Sequence, residues 1–549
     1  MDGQFTVSDY LLVRLKEIGV DHAFGVPGDF VLGFLNHLLR SDVTWVGTCN
    51  ELNAAYAADG YARIRGVGAV VTTFGVGELS AVNGIAGAFA ERIPVVMVVG
   101  SPATAHFANR PLLHHTLGDY QIPLRIFEKI TVASCQLASP LTAPAEIDRV
   151  LTACLAHQRP VYVSLPADIA QQECARPEPF VLPHAKPSHR ASLQEAVQAA
   201  VGALALAQRP LVIGGVELVR GRLQTEFAAF LAASGFDYVT MMMGKTVLSE
   251  RHPQYLGLFE GDRSCETVRR EVAESDCVLE LGAWLTDFTT GGFTTHLTDA
   301  RTISAGRHAV RVGGEHYRDV TLADFMGALA AALQPRGRPV RRVAQAPEAS
   351  LMDPTTADSP LTVQRFFDRA GQFLADGAIV LAETGVSLFS AAELPMPDGA
   401  TFIGQTFYGS IGYTLGATLG AATAAPDRRV VLFIGDGAFQ VTCQELSTLI
   451  RQHLKPIIFV LNNDGYTIER VICDHSYNDL QPWKYHALVD VFGGGLAFDV
   501  RTVGELEVAL ERAAEADALV LIEVHTDRMD CTPALRAAGQ AMAATNGLT

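Results

Sequence analysis

The chain has 549 residues, of which 49% are hydrophobic and 18% charged, with 49 Gly and 26 Pro. That is the composition of a globular protein of about three or four domains, and it excludes disorder, collagen and coiled coil. Its 42 Lys and Arg against 59 Asp and Glu leave a net charge of -17, which excludes a nonspecific grip on a phosphate backbone, so nucleic acid is not an expected partner.

Nine scattered Cys with no C-x-x-C pair argue for buried or free thiols in a reducing cytoplasm rather than a disulfide frame or a zinc site. The first residues lack a basic segment leading into an apolar stretch, so no secretory signal is expected. No apolar run approaches the roughly 20 residues of a spanning helix, so no membrane is expected either.

Short apolar runs, each followed by a Gly- or Pro-marked turn and a helical pattern, recur along the chain. They are GAVVTTFG (68–75), IPVVMVVG (93–100), RPVYVSLP (159–166), RPLVIGG (209–215) and SDCVLELG (275–282). Four more follow: GAIVLAETG (377–385), RVVLFIGDG (429–437), KPIIFVLNN (455–463) and ALVLIEVH (518–525). Runs without polar alternation predict strands buried on both faces, as in parallel sheets covered by helices. Pro-rich, charged stretches at 174–190 and about 334–361 read as linkers. They divide the chain into three α/β domains at about 1–180, 181–345 and 346–549. Short-period repeats are absent.

Two motifs carry chemistry in the last domain. The strand before Gly435, Asp436 and Gly437 and the strand ending in Asn462, Asn463, Asp464 and Gly465 both present their carboxyl ends, where open parallel sheets bind ligands. A carboxylate, an amide oxygen and a backbone carbonyl suit Mg2+ holding a diphosphate, and the glycines let phosphates approach the backbone. Taken singly, Asp436-Gly437 is equally a turn and Asn462-Asn463 equally a cap. Together, on these strands, they are specific.

The pair resembles the thiamine-diphosphate-binding signature, in which GDG and a later NN bind the metal-diphosphate. Glu51, read alone, is an acid in a first helical turn with Asn50 as cap. The resemblance implies instead a carboxylate against the cofactor's aminopyrimidine ring. HAFGVPGDF (22–30), TTFGVGELSAVNGIAGAFAE (72–91), LLHHTLGDY (112–120) and NNDGYTIER (462–470) narrow the likeness. They resemble the pyruvate decarboxylase and indolepyruvate decarboxylase family over essentially the whole chain.

The resemblance implies an α/β fold of three doubly wound parallel-sheet domains, termed pyrimidine-binding, middle and diphosphate-binding. It implies thiamine diphosphate and Mg2+ as cofactors, with Asp436, Asn463 and the Gly465 backbone on the metal. Thr384, Gly437, Ala438, Tyr466, Thr467 and Ile468 would line the cofactor, and Gly409, Ser410 and Ile411 would hold it bent. Asp29, His114, His115 and Glu469 would handle protons around the substrate. Read singly, Asp29 is a turn residue, the His pair an exposed loop, Glu469 a solvated charge, and 409–411 a close packing site; the four proton-handling residues in matching contexts favour the functional reading. The motif Gly75-Val76-Gly77-Glu78-Leu79-Ser80 lacks the third glycine of a dinucleotide fingerprint and is read as a tight helix start near the aminopyrimidine.

The implied reaction is nonoxidative decarboxylation of a 2-oxo acid to an aldehyde, in a homodimer at least and a homotetramer as is usual in the family. Glu51 and the His pair of one subunit would face the metal site of another. Leu388 stands where some relatives carry Trp and others Ala, which predicts a pocket for a branched or aromatic side chain. Thr290, Phe389, Ile468 and Leu535 are further pocket candidates, each equally ordinary core. The whole-chain likeness leans toward indolepyruvate or branched-chain substrates over pyruvate. Val386 departs from relatives that place a hydroxyl or acid there, and GGVELVRGR (214–222) lacks the regulatory thiol of yeast-type enzymes. A thiamine-dependent carboligase and a noncatalytic sensor are the competing readings; the His pair argues against the first, and the full set of acids and histidines against the second.

Overall fold

The computed structural model describes residues 4–181, 186–333 and 357–548. The expected boundary near 345 and most of the second expected linker lie outside the described residues. The chain builds three sheets. The first holds β1 (His22–Gly25), β2 (Thr44–Gly47), β3 (Gly68–Thr73), β4 (Val95–Ser101), β5 (Ala133–Gln136) and β6 (Val161–Pro166) in the order β2-β1-β3-β4-β6-β5. Every pairing in it is parallel. Strands β3, β4 and β6 are buried at every position, as expected of runs covered on both faces.

The third sheet repeats this plan. Strands β14 (Ile379–Ala382), β15 (Thr401–Ile403), β16 (Val430–Gly435), β17 (Ile457–Asn462), β18 (Leu496–Val500) and β19 (Val520–His525) run in the order β15-β14-β16-β17-β19-β18. All are parallel, so the order 2-1-3-4-6-5 occurs twice in one chain. In each copy the strand order reverses beside the first strand, which opens a crevice at the carboxyl ends.

The middle sheet contains β7 (Pro210–Gly214), β8 (Asp237–Thr240), β9 (Tyr255–Leu258), β10 (Cys277–Leu281), β11 (Thr302–Ala305), β12 (Ala309–Val312) and β13 (Glu315–Arg318). Its order is β13-β12-β11-β10-β7-β8-β9. It departs from a purely parallel sheet at one edge, where β12 and β13 run antiparallel. Gly313 and Gly314, with φ of 55° and 91°, make the two-residue turn that a tight hairpin requires.

The first and third domains meet through the helices Glu51–Arg65 and Tyr413–Ala424. The helices approach backbone to backbone: a Cβ at Gly420 would lie 1.9 Å from the Ala57 carbonyl oxygen, and one at Gly60 2.3 Å from that of Ala417. Beside the crossing, Arg63 pairs with Asp59 and Glu91 at 2.7 Å each, and the Tyr413 hydroxyl donates to Asp59 at 2.5 Å. Glu91 also accepts from the Phe407 amide of the third domain at 2.9 Å, while Arg220 of the middle domain donates to its carbonyl at 3.3 Å. Burial pushes Arg220 down to about 10. Each buried charge here has a partner, which the cost of desolvation requires. Among the described residues, no helix is long and apolar enough to cross a membrane.

Replacing Gly420 with Val would drive a side chain into the Ala57 backbone. Overpacking of this kind costs about 1–3 kcal/mol, so Gly420→Val is expected to lower the melting temperature, as read by thermal denaturation.

Candidate active site

At the carboxyl edge of the first sheet, Asp29 follows β1, Glu51 follows β2 and Gly75 follows β3. His114 Nε2 lies 2.7 Å from Asp29 Oδ2, and the rings of His114 and His115 are 4.6 Å apart. Phe30 stacks on His114 at 5.0 Å. His115 has a φ of 66°, and its carbonyl oxygen would sit 2.0 Å from a Cβ at Gly75. Only glycine at 75 admits the His pair at this place.

Asn50 caps the next helix by accepting from the Asn53 amide at 2.8 Å, which sets Glu51 in its first turn. A Cβ at Gly77 would come 3.0 Å from Glu51 Oε1, so the small residue keeps the carboxylate's surroundings open. Burial holds the Glu51 carboxyl above the usual carboxylate range, a state suited to sharing a proton. Glu78, in the segment read as a tight helix start, accepts from the Gly75 amide at 2.7 Å and from the Tyr162 hydroxyl at 2.7 Å. It is a structural anchor, and burial pushes it up to about 7.

At the carboxyl edge of the third sheet, Thr384 follows β14, Asp436 follows β16 and Asn463 follows β17, three neighbouring strands. Asp436 is 1% exposed. It accepts from the amides of Gly437 at 2.7 Å and Gly465 at 3.0 Å, and burial pushes it up to about 7. The Asn463 side-chain oxygen is buried and has no hydrogen-bond partner. A buried carboxylate and an orphaned amide oxygen on adjacent strands form a donor set that fits a hard divalent cation.

Arg470, 2% exposed, fixes the turn that carries them. It donates to the carbonyls of Asn463 at 3.0 Å, Asp464 and Arg528 at 3.3 Å, and to Asp479 at 3.0 Å. Asp464 (φ 58°) and Gly465 (φ 134°) take the left-handed backbone the turn needs. Nothing stands within 4 Å of where a Cβ at Gly435 would be, and the Thr384 hydroxyl is buried without a partner. Space and unpaired polar atoms thus lie beside the donor set, as a diphosphate-bearing cofactor requires.

Residues 5–121 match the thiamine pyrophosphate enzyme N-terminal TPP binding domain. Residues 197–333 match the central domain of such enzymes, and residues 383–524 the C-terminal TPP binding domain. The chain is 43% identical over 537 residues to an alpha-keto-acid decarboxylase of Mycobacterium avium (strain 104), covering 96% of this chain and 94% of that protein. It is 42% identical over 539 residues to one from Mycobacterium tuberculosis (strain ATCC 25618 / H37Rv), covering 96% of each. The chain belongs to the thiamine-diphosphate-dependent 2-oxo acid decarboxylase family. Thiamine diphosphate is its cofactor.

In this decarboxylase the loop Gly409–Ile411 is held from the first domain. Ser410 Oγ lies 2.6 Å from the Tyr56 hydroxyl and 2.9 Å from Asn83 Nδ2, and its amide donates to Gln405 at 2.8 Å. Gly409 has a φ of 68°, and Ile411 is 38% exposed. Ala438 and Thr467 are buried, and Tyr466 packs where a Cβ at Gly437 would be.

Of the pocket candidates, Leu388, Phe389 and Leu535 lie in the core of the third domain, with Ile468 packed against them. Phe389 reaches toward the middle domain, where Phe288 meets it edge-on at 6.0 Å and Arg263 lies 5.1 Å from its ring centre. Thr290, 1% exposed, donates to the Thr286 carbonyl at 2.5 Å and accepts from the Phe293 amide at 2.8 Å. Val386 is buried in the same core as Leu388. Glu469 is exposed on the short helix Thr467–Ile472. Among the described residues, no hydrogen bond, ion pair or ring contact joins Asp29, Glu51, His114 or His115 to Asp436, Asn463, Gly465 or Glu469.

Sequence reasoning missed Arg470 and Glu383. Glu383 is fully buried and accepts from the Thr414 amide at 3.1 Å, the Thr414 hydroxyl at 2.7 Å and the Thr384 amide at 3.0 Å. It therefore ties the end of β14 to the start of the Tyr413–Ala424 helix. The available signal was an acid closing the apolar run IVLA just before Thr384-Gly385. Burial pushes Glu383 up to about 7. A carboxyl raised on folding contributes stability that is complete below its ordinary range and is lost as pH rises through the folded value. Glu383→Gln is therefore expected to flatten the fall in melting temperature of the cofactor-free chain between about pH 5 and pH 8, followed by thermal denaturation.

Proposed function

We propose that the protein decarboxylates a 2-oxo acid without oxidation, releasing carbon dioxide and an aldehyde, with a branched or aromatic side chain such as that of indolepyruvate or phenylpyruvate preferred over the methyl of pyruvate. The observation that carries this reading is the cluster of Asp29, His114 and His115, because an enzyme that ends its cycle on an aldehyde must deliver a proton to carbon. Bound thiamine diphosphate supplies the nucleophilic carbon and the electron sink. The chain's own work is to hold, orient and protonate. Asp436, Asn463 and the Gly465 carbonyl would hold Mg2+ against the diphosphate, with Arg470 keeping their turn in shape. Thr384, Gly437, Ala438, Tyr466, Thr467 and Ile468 would line the cofactor, and Gly409, Ser410 and Ile411 would fix its bend. Glu51, raised by burial, would exchange a proton with the aminopyrimidine nitrogen.

Asp29, His114, His115 and Glu469 would move protons at the substrate. The separation of Glu51, Asp29, His114 and His115 from the metal cradle and the neighbouring Glu469 within one chain supports a dimer in which each site joins two chains, and a tetramer of two such dimers. A cytoplasmic location accords with nine free cysteines, and the domain division at about 180 and 345 accords with three sheets. Leu388, Phe389, Ile468, Leu535 and Thr290 would bound the substrate's side chain; Leu388 is smaller than Trp and larger than Ala, which favours intermediate to large side chains.

With thiamine diphosphate and Mg2+ saturating, kcat/KM is to be compared across pyruvate, 2-oxoisovalerate, 2-oxoisocaproate, phenylpyruvate and indolepyruvate. The larger substrates should be faster and should yield aldehyde without acyloin. Acyloin as the main product would make the enzyme a carboligase, and pyruvate as the best substrate would overturn the pocket assignment. Glu469→Gln should lower kcat by about 100-fold or more with cofactor affinity unchanged, and normal turnover in that variant would remove Glu469 from the mechanism.

A further inference from the structure

Away from the two edges described above, a second set of ligating side chains gathers on the third sheet. The register sets Asp499 of β18 directly opposite Glu523 of β19, and Asn462 of β17 opposite His525 of β19. Residues two apart on a strand share a face, so Glu523 and His525 project together and Asp499 and Asn462 join them. The turn Tyr485–Ala487 adds His486 to this face.

The contacts are short and specific. His486 Nδ1 lies 2.6 Å from Glu523 Oε2, and the His486 amide donates to the same oxygen at 3.0 Å. His525 Nε2 lies 2.6 Å from Asp499 Oδ1 and 3.4 Å from Glu523 Oε1. Asn462 Nδ2 donates to Glu523 Oε1 at 2.7 Å. One ligating atom from each of His486, Asp499 and Glu523 falls within 4.8 Å of the others.

Like charges directly opposite one another on neighbouring strands destabilise a sheet, and Glu523 is 1% exposed, where a charge without compensation costs most. The pairing therefore calls for positive charge between the two carboxylates. Arg501, 3.5 Å from Asp499 Oδ2, meets part of this need, and protons on the imidazoles or a divalent cation would supply the rest.

We infer that His486, Asp499 and Glu523 form a binding site for a divalent transition-metal ion of the zinc type. One imidazole nitrogen and two carboxylate oxygens are ligands such ions accept, and three protein ligands leave further positions for water. Mg2+ favours oxygen alone, so this site and the Asp436 cradle select different metals. Each carboxylate already has an outer partner that fixes its orientation, Asn462 for Glu523 and His525 for Asp499, as ligating carboxylates in built metal sites do. The His486 and Asp499 side chains are 31% and 37% exposed, which gives the ion a path in. Asn462 adjoins Asn463, so the site is tied by one hydrogen bond to the strand end that carries the metal cradle. This inference does not rest on the proposed reaction.

The full chain, saturated with thiamine diphosphate and Mg2+, is to be titrated with Zn2+ by calorimetry and its retained zinc counted after desalting. About one equivalent per chain is expected, with affinity reduced at least about ten-fold in both His486→Ala and the more exposed Asp499→Asn. Asp436→Ala should leave that equivalent in place, which separates this site from the cofactor's metal. Absence of retained zinc in the parent chain overturns the inference, as does undiminished zinc binding in folded Asp499→Asn; the cluster is then two imidazole-carboxylate ion pairs.

Discussion

Two helices that touch backbone to backbone govern the rest of the molecule. Where Glu51–Arg65 crosses Tyr413–Ala424, glycines at 60 and 420 leave no room for even a methyl group. The crossing fixes the first sheet against the third. Glu51 opens one of the two helices, and the other follows directly from the loop Gly409–Ile411. A constraint on packing is therefore also a constraint on where Glu51 and that loop stand. The buried cluster of Arg63, Asp59, Glu91 and Tyr413 extends the constraint to the middle domain through Arg220.

The two outer domains share one strand order but present different chemistry at their carboxyl edges. The first gathers a carboxylate and two imidazoles at Asp29, His114 and His115. The third places a buried carboxylate and an unpaired amide oxygen beside open space at Gly435. Burial raises the carboxyls of both Glu51 and Asp436 at these edges, and perturbed acids gathered at the ligand-binding ends of parallel sheets mark candidate functional groups.

The sequence made the strands and their carboxyl-end motifs legible because both depend on local order. Apolar runs without alternation mark buried parallel strands, and Gly-Asp-Gly or Asn-Asn at their ends can be read without knowing the rest of the fold. The Asp29 and His114-His115 pairing was legible only through family likeness, since 85 positions separate Asp29 from His114. Glu383 and Arg470 escaped notice because most of their partners are backbone amides and carbonyls, which leave no residue-type signature, and the side chains they also meet, Thr414 and Asp479, lie 31 and 9 positions away. The Asp499–Glu523 pairing depends on strand register, and the antiparallel edge of the middle sheet on a Gly-Gly hairpin embedded in an otherwise βα-like rhythm.

On the proposed reading, proton-handling groups of one chain meet the metal cradle of another. Glu51→Gln and Asp436→Asn chains, each inactive alone, can be co-expressed and their mixed oligomers assayed for aldehyde production. If sites are shared, random pairing in a symmetric dimer leaves one intact site in each mixed pair and restores about a quarter of the parent activity. If each chain holds a complete site of its own, the mixture stays inactive, and the account of a divided active site is wrong.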